Sequence, residues 1–208
     1  MRQNRTGLFS LSSSSPANTL LDARTALEAQ KIKESLDILA GIKKEVRVTW
    51  IIPMYNEMDR LQPPSPGNPY GEDALRKKIR QVAEMQSVSS RLENRLIFVD
   101  DGTEDAASQR CVEILWQDIQ KEFDGRLKPD MVRALAMTPD EKKRLGSKKG
   151  GAVHRGFQEA LKDNGWAHLI GYTDVDLSTD MRQAMLLVNV LMEEEGDVAV
   201  GSRWAQGG

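Results

Sequence analysis

Apolar residues in this chain gather into short runs, separated by longer stretches in which they recur every three or four positions. The first run, residues 46–52, is β-branched at Val46, Val48, Thr49, Ile51 and Ile52 and predicts a strand. Further strands are expected over 95–100, 131–137 and 167–174, with a last short one over 197–201. Helices are expected over 71–91, over 103–123, within 146–164 after a loop, and over 179–195. Ahead of the first strand, Asn18 or Thr19 is placed to cap a helix reaching about Ala40, with Gly41 to end it. Ile32, Leu36 and Leu39 share one face of that helix, so residues 18–45 are expected to pack on the domain as an N-terminal extension. Residues 62–71 hold Pro63, Pro64, Pro66, Gly67, Pro69 and Gly71, which excludes regular structure there.

Strands alternating with helices of this length predict an α/β domain over 46–208. Its sheet is expected to be open and mostly parallel, with right-handed crossovers and helices flanking both faces. Such a sheet places its ligand crevice outside the carboxyl ends of its strands. The chemistry-bearing residues should therefore be sought just after each run.

Composition narrows the classes. With 208 residues, 39% of them apolar, the chain has enough material for one domain with a real core. The apolar runs are far too short to span a bilayer. Net charge is −2, from 29 basic and 31 acidic residues, so no global basic field argues for nucleic acid. Cys111 is the only cysteine, which rules out an intramolecular disulfide and a cysteine-rich zinc site; it reads as a structural thiol on a helix. Residues 1–17 differ in kind. They carry Arg2 and Arg5, serines over 12–15 and no acid, and are expected to be a disordered tail, a transit-peptide pattern being the weaker reading. The expected location is the cytoplasm or the cytoplasmic face of a membrane.

Four blocks then stand at or beside the expected strand ends. Asp174-Val175-Asp176 closes the fourth strand; if the chain turns after Asp174, both carboxylates can reach one hard cation such as Mg²⁺ or Mn²⁺. Acidic pairs there can also cap the next helix, but Ser178 or Thr179 is available for that. Asp100-Asp101-Gly102 ends the second strand. Its carboxylates can accept from a nucleobase or a ribose, or serve a turn and a helix cap; Gly102 allows close approach of the backbone to a ligand. Pro53-Met54-Tyr55-Asn56-Glu57 follows the first strand, with an aromatic for a flat base and an acid for a donor group, or else is ordinary loop. Ser147-Lys148-Lys149-Gly150-Gly151 opens a helix with amides and ammonium groups suited to a phosphate, or is a solvated basic loop. Neither a Walker loop nor a G-x-G-x-x-G turn occurs.

As a set these blocks resemble the inverting glycosyltransferases of family 2, which have the nucleotide-sugar-binding GT-A fold. The nearest subgroup is the enzymes that transfer a hexose to a polyprenyl or dolichyl phosphate. The matching segments are Pro53-Met54-Tyr55-Asn56-Glu57, Val99-Asp100-Asp101-Gly102-Thr103, Lys149-Gly150-Gly151-Ala152-Val153, Asp174-Val175-Asp176-Leu177-Ser178 and Gly201-Ser202-Arg203. The resemblance covers residues 46–208. It implies that Pro53, Tyr55, Glu57, Asp100 and Asp101 line the nucleotide, and that Asp174 reaches the ribose or a metal. Asp176 would hold the metal, while Lys149 and Arg203 face the diphosphate; Asp176 and Arg203 would be the catalytic pair. The implied partners are a UDP- or GDP-sugar donor and a polyprenyl phosphate or glycan acceptor, with Mg²⁺ or Mn²⁺ and peripheral membrane contact allowed.

The chain departs from the family pattern at several points. His154 stands where an arginine is usual, with Arg155 next to it. The proline-rich insertion and the N-terminal helix are extra, and the acceptor-binding half expected after the Gly-Ser-Arg segment is not in the chain. A non-catalytic nucleotide-sugar-binding or regulatory module is therefore the alternative expectation. A nucleotidyltransferase fits less well, because residues 53–60 contain no glycine.

Overall fold

A computed structural model describes residues 16–102, 106–124, 126–163, 165–193 and 196–201, with side chains from residue 25 onward. At its centre are β1 (Val46–Met54), β2 (Leu92–Asp100), β3 (Val132–Ala136) and β4 (Leu169–Tyr172). They lie in the order β3-β2-β1-β4, and every neighbouring pair is parallel. The register aligns Met54 with Asp100 and Asp100 with Ala136, so the strands finish along one edge. This is the Rossmann-like open sheet that the alternating pattern predicts.

β1 is buried at every position except half-buried Arg47, as expected of a central parallel strand covered on both sides. Its two-residue repeat divides the core. Val46, Val48, Trp50, Ile52 and Met54 join a large cluster with side chains from α1 (Pro16–Ala40), α3 (Ala74–Val88), α4 (Ala107–Glu122) and α7 (Met181–Glu193). Ile51 points the other way, with Ile97 and Val99, onto Ala152 and Ala160 of α6 (Lys148–Lys162). α6 lies close to β1 because Gly156 has no side chain; a Cβ there would stand 2.3 Å from Cγ2 of Ile51.

Several expected boundaries move. α1 begins at Pro16, so residues 16 and 17 are helical rather than part of a tail; a proline suits the first helical position, where no amide is needed. The rest of the expected tail lies outside the described residues. Leu39 is buried and Leu36 packs against the large cluster, so α1 does lie on the domain, against α3 and α7. The fourth strand stops at Tyr172, because after the ladder bond from Thr173 N–H to the Ile51 carbonyl (3.0 Å) the chain bends away. Residues 197–201 form no strand: Val198 and Val200 are 78% and 80% exposed, and an extended apolar run without a ladder partner is not a sheet element.

Three short elements are additional. α2 (Met58–Leu61) follows β1, a 3₁₀ turn at Pro129–Met131 precedes β3, and α5 (Pro139–Leu145) follows it. α5 carries a capping box. Glu141 N–H donates to the Thr138 hydroxyl at 3.2 Å, and Thr138 N–H donates to the Glu141 carboxylate at 3.0 Å. Among the described residues no helix is long and apolar enough to cross a membrane.

Candidate functional site at the carboxyl edge of the sheet

The chain runs β1 to β2 to β3 in one direction, then crosses back to place β4 on the other side of β1. The two connections leaving the β1–β4 junction diverge, which opens a crevice there. A cleft of about 200 Å³ occupies that point, lined by Pro53, Met54, Tyr55, Glu57, Arg60, Lys149, Asp174, Val175 and Asp176. Three of the four sequence blocks thus meet in one place.

Local structure explains each contribution. The bend after Tyr172 buries Val175 in the core and turns Asp174 and Asp176, on either side of it, to the cleft. Asp176 Oδ1 accepts the Ser178 hydroxyl at 2.6 Å and the Ser178 amide at 3.1 Å, which fixes the carboxylate. Burial alone would raise its pKa. The Ser178 bonds, with the charges of Arg60 and Lys78, outweigh that and hold it below the usual range. Neither Ser178 nor Thr179 caps α7. That role falls to Asp180, whose Oδ1 accepts the Arg182 amide at 2.8 Å.

Glu57 opens α2 and receives Arg60 Nη1 at 3.2 Å. Burial pushes its carboxyl above the ordinary range, and the charges of Asp176, Glu72 and Asp174 add to that while Arg60 opposes it. Arg60 is a cleft residue that motif reading missed, although Glu57-x-x-Arg60 is a legible i, i+3 helical pair. It is held from behind by Glu72 at 3.5 Å, and Glu72 N–H donates to the Arg60 carbonyl at 3.3 Å. The proline-rich insertion therefore folds back to brace the cleft. Tyr55 offers a ring that is 52% exposed. Lys149, in the first turn of α6, pairs with Asp174 and lies 5.8 Å from the centre of the Tyr172 ring.

The second block behaves differently. Asp100 is 2% exposed; its Oδ1 accepts the Gly102 amide at 2.8 Å and its Oδ2 the Gln109 amide at 3.1 Å. It caps α4 from the preceding strand end. Asp101 instead faces α6, and Thr103, the other capping candidate, lies outside the described residues. Asp101, also 2% exposed, accepts the Lys148 amide at the start of α6 and is 3.2 Å from Lys142 Nζ. An internal carboxylate thus takes a place at the helix terminus where a phosphate was expected. Gly102 permits a close approach, but to the neighbouring loop: a Cβ there would stand 2.6 Å from Asn56 Oδ1. Neither Asp100 nor Asp101 lines the cleft.

His154 is exposed and Arg155 is paired with Glu141 at 2.6 Å and Glu159 at 2.8 Å, so neither faces the cleft. Arg203 lies outside the described residues. Cys111 is buried, and burial pushes its thiol up, as an unreactive structural cysteine requires. Among the described residues no group of three or more His, Cys, Asp or Glu side chains forms a ready-made metal centre.

Fold and cleft together describe a Rossmann-like domain with a cleft lined by acidic and basic side chains at its topological switch point. Over 61 residues the chain is 44% identical to a protein named glycosyltransferase AglD from Haloferax volcanii; the stretch is 29% of this chain and 9% of that protein. No family model matches the chain, and no solved structure gives a significant match.

Proposed function

We propose that this chain is the donor-binding part of a family 2 glycosyltransferase, taking a hexose from UDP or GDP and passing it to an acceptor such as a polyprenyl phosphate or a glycan. The observation that carries this reading is the meeting of Tyr55, Glu57, Lys149, Asp174 and Asp176 in one cleft. The similarity to AglD supports the transferase class.

Each residue has a role its chemistry allows. Tyr55 stacks against the base, and Glu57 accepts a base or ribose donor. Lys149 meets the diphosphate and stabilises the charge that grows on it as the sugar leaves. Asp174 and Asp176 suit a divalent cation: both are hard oxygen donors, and Mg²⁺ or Mn²⁺ needs only one or two carboxylates when phosphate oxygens and water complete its shell. Asp176 Oδ1 is already engaged with Ser178, which orients the other oxygen toward that use. Bound there, the cation supplies Lewis-acid stabilisation of the leaving diphosphate. A phosphate acceptor is already ionised near neutral pH and needs no general base, whereas a sugar hydroxyl does. Asp100 and Asp101 act at one remove, by holding the starts of α4 and α6.

Thermal unfolding with UDP and with GDP, each with and without Mn²⁺, tests the reading. A ligand at about 100 times its Kd adds roughly 2.7 kcal/mol, a rise of several degrees at about 2–4 °C per kcal/mol. A Mn²⁺-dependent rise with one nucleotide supports the donor site and names the base; no rise with either sinks it. The commitment of Asp100 and Asp101 to backbone amides favours, as a second reading, a binding module without turnover. That reading expects the same rise, but no hexose transfer to any lipid phosphate or glycan at high protein concentration.

A further inference from the structure

Close to the acidic loop lies a buried ammonium group that the donor chemistry above does not use. Lys78, in α3, is 0% exposed, and its Nζ has no hydrogen-bond partner among the described residues. The next positions in its row along α3 are both engaged with the start of α7. Gln81 donates to Asp180 Oδ2 and accepts the Met181 amide, each at 3.1 Å, and Glu84 receives Arg182 at 2.6 Å. Lys78 stands one turn earlier in that row, toward the loop that carries Asp174 and Asp176.

The charges that act on Lys78 are Asp176, Asp180, Asp174 and Glu72, and burial outweighs them, bringing the ammonium down to about 8. Conversely, Lys78 and Arg60 are the cations that act on Asp176. Asp180 is already held by Arg182 at 2.6 Å, Glu72 by Arg60 at 3.5 Å and Asp174 by Lys149, which leaves Asp176, bonded only to Ser178 among the described residues, as the negative charge that most directly faces Lys78. For packing alone an apolar side chain would be the more stable occupant of this position, because a buried charge without a hydrogen bond is strongly disfavoured. The position thus has an electrostatic consequence that packing does not require.

We infer that Lys78 is a positioning residue for the acidic loop, whose buried positive charge offsets part of the charge of Asp174 and Asp176 so that the loop takes a divalent cation tightly only together with a nucleoside diphosphate. The inference rests on the donor-site reading above. Lys149 pairs with Asp174, Arg60 is shared between Glu57 and Glu72, and Lys78, buried outside the cleft lining, is the further cation that opposes Asp176, so positive charge offsets much of the acidic charge around the cleft. A bare cation therefore meets little net attraction, whereas a cation carrying its diphosphate brings the ligands and charge the cleft lacks. Without Lys78 the balance shifts toward the bare cation.

The experiment is a titration of Mn²⁺, followed by the electron paramagnetic resonance signal of the free ion, into the chain alone and into the chain with UDP or GDP. It is run on the parent, on Lys78→Met and on Lys78→Gln, each with an unfolding curve. The expected result is that Lys78→Met unfolds at the same or a higher temperature than the parent. It should bind Mn²⁺ alone about tenfold more tightly, and the gain in Mn²⁺ affinity on adding nucleotide should shrink by a similar factor. If the parent binds Mn²⁺ with a nucleotide but both folded variants stay within about twofold of it for Mn²⁺ alone, the role of Lys78 is overturned and the donor site stands. Absence of Mn²⁺ binding by the parent with either nucleotide overturns both readings. Failure of both variants to fold makes Lys78 a folding residue and also overturns the inference.

Discussion

α6 carries charged side chains at both ends, and the two ends use them in opposite ways. In its last turns Glu159 is met by Arg133 at 2.6 Å, Arg155 at 2.8 Å and Lys162 at 3.0 Å. Burial would raise the Glu159 pKa, but hydrogen bonds from Arg155 and Lys162 and the charge of Arg133 bring it down to about 2. Nearby, Arg95 bonds Asp163 at 3.2 Å and stacks 3.8 Å over the Trp166 ring. At the first turn, Lys149 reaches an exposed cleft in which Glu57 is pushed above its ordinary range, and the buried Lys78, whose charge acts on Asp176, has no hydrogen-bond partner among the described residues. A fully paired cluster holds a fold together; a shifted carboxyl and an ammonium without a hydrogen bond beside an open cleft mark that cleft as a candidate binding site.

Cavity size does not make this distinction. The cavity at the amino edge, about 240 Å³, is slightly larger than the cleft and is lined by Arg95, Arg126, Lys128 and Trp166. Its Arg95 and Lys128 are already paired, with Asp130 and Glu93 respectively. Ion pairs line both places, but the amino-edge cavity lies away from the topological switch point where such a sheet takes its ligands, so the smaller carboxyl-edge cleft is the better candidate.

The contrast can be broken most forcefully at the satisfied end. Glu159→Ala leaves Arg133 and Arg155 without their shared partner. It is expected to lower stability by about 3 kcal/mol, the low end of the range for a broken buried ion pair because Arg133 and Lys162 are partly exposed. Denaturant unfolding measures this; a loss under about 1 kcal/mol would mean that the cluster is ordinary surface charge.

At the unsatisfied end the reverse is expected. Asp176→Ala should keep the fold and weaken Mn²⁺-dependent nucleotide binding roughly 10- to 100-fold, equivalent to about 1.4–2.8 kcal/mol. Unchanged binding by calorimetry would remove Asp176 from the site.

Gly156→Ala links the two ends, because it forces a methyl group against Ile51. Overpacking of this kind costs about 1–3 kcal/mol. It should also lift α6 from β1, so that nucleotide affinity falls along with the melting temperature.

The smallest effects lie in pH dependence and sharpen the contrast by sign. Glu159 has a folded-state pKa of about 2 against an ordinary 4.5. Its contribution is therefore complete above the ordinary value and lost as pH falls from there through about 2. Glu57 is shifted upward, so it favours folding below its ordinary value, and that contribution is lost as pH rises through the raised one. Glu159→Gln should lower stability at neutral pH, and Glu57→Gln should raise it, by no more than about 1 kcal/mol. Melting curves from pH 3 to 8 compare the two; equal signs would erase the distinction.

Much of the fold was legible because strand and helix periods are local properties. The four observed strands follow apolar runs, and α3, α4, α6 and α7 follow periodic stretches. The Thr138-Pro139-Asp140-Glu141 signature of α5 is a legible helix start, but seven residues are too few to carry an apolar period beside it. The run at 197–201 misled for the opposite reason: it has a strand's composition, but pairing depends on another segment.

The candidate site divides along the same line. Residue order alone put Tyr55, Glu57, Lys149, Asp174 and Asp176 at or beside strand ends, since a motif that follows an apolar run must emerge at an edge of the sheet. Which strand ends are neighbours is a matter of topology, and the crossover from β3 to β4 across β1 brought three blocks into one cleft. The fates of the remaining carboxylates depended on tertiary structure too. Asp100 and Asp101 sit one residue apart, yet one caps α4 and the other meets the start of α6. Lys78 lies about a hundred residues from Asp176 in sequence, and only packing of α3 beside the start of α7 brings the two within electrostatic reach. Periodicity is encoded over a few residues and survives without the rest of the chain; burial and charge pairing are properties of the assembled core, where distant segments determine the dielectric around each group.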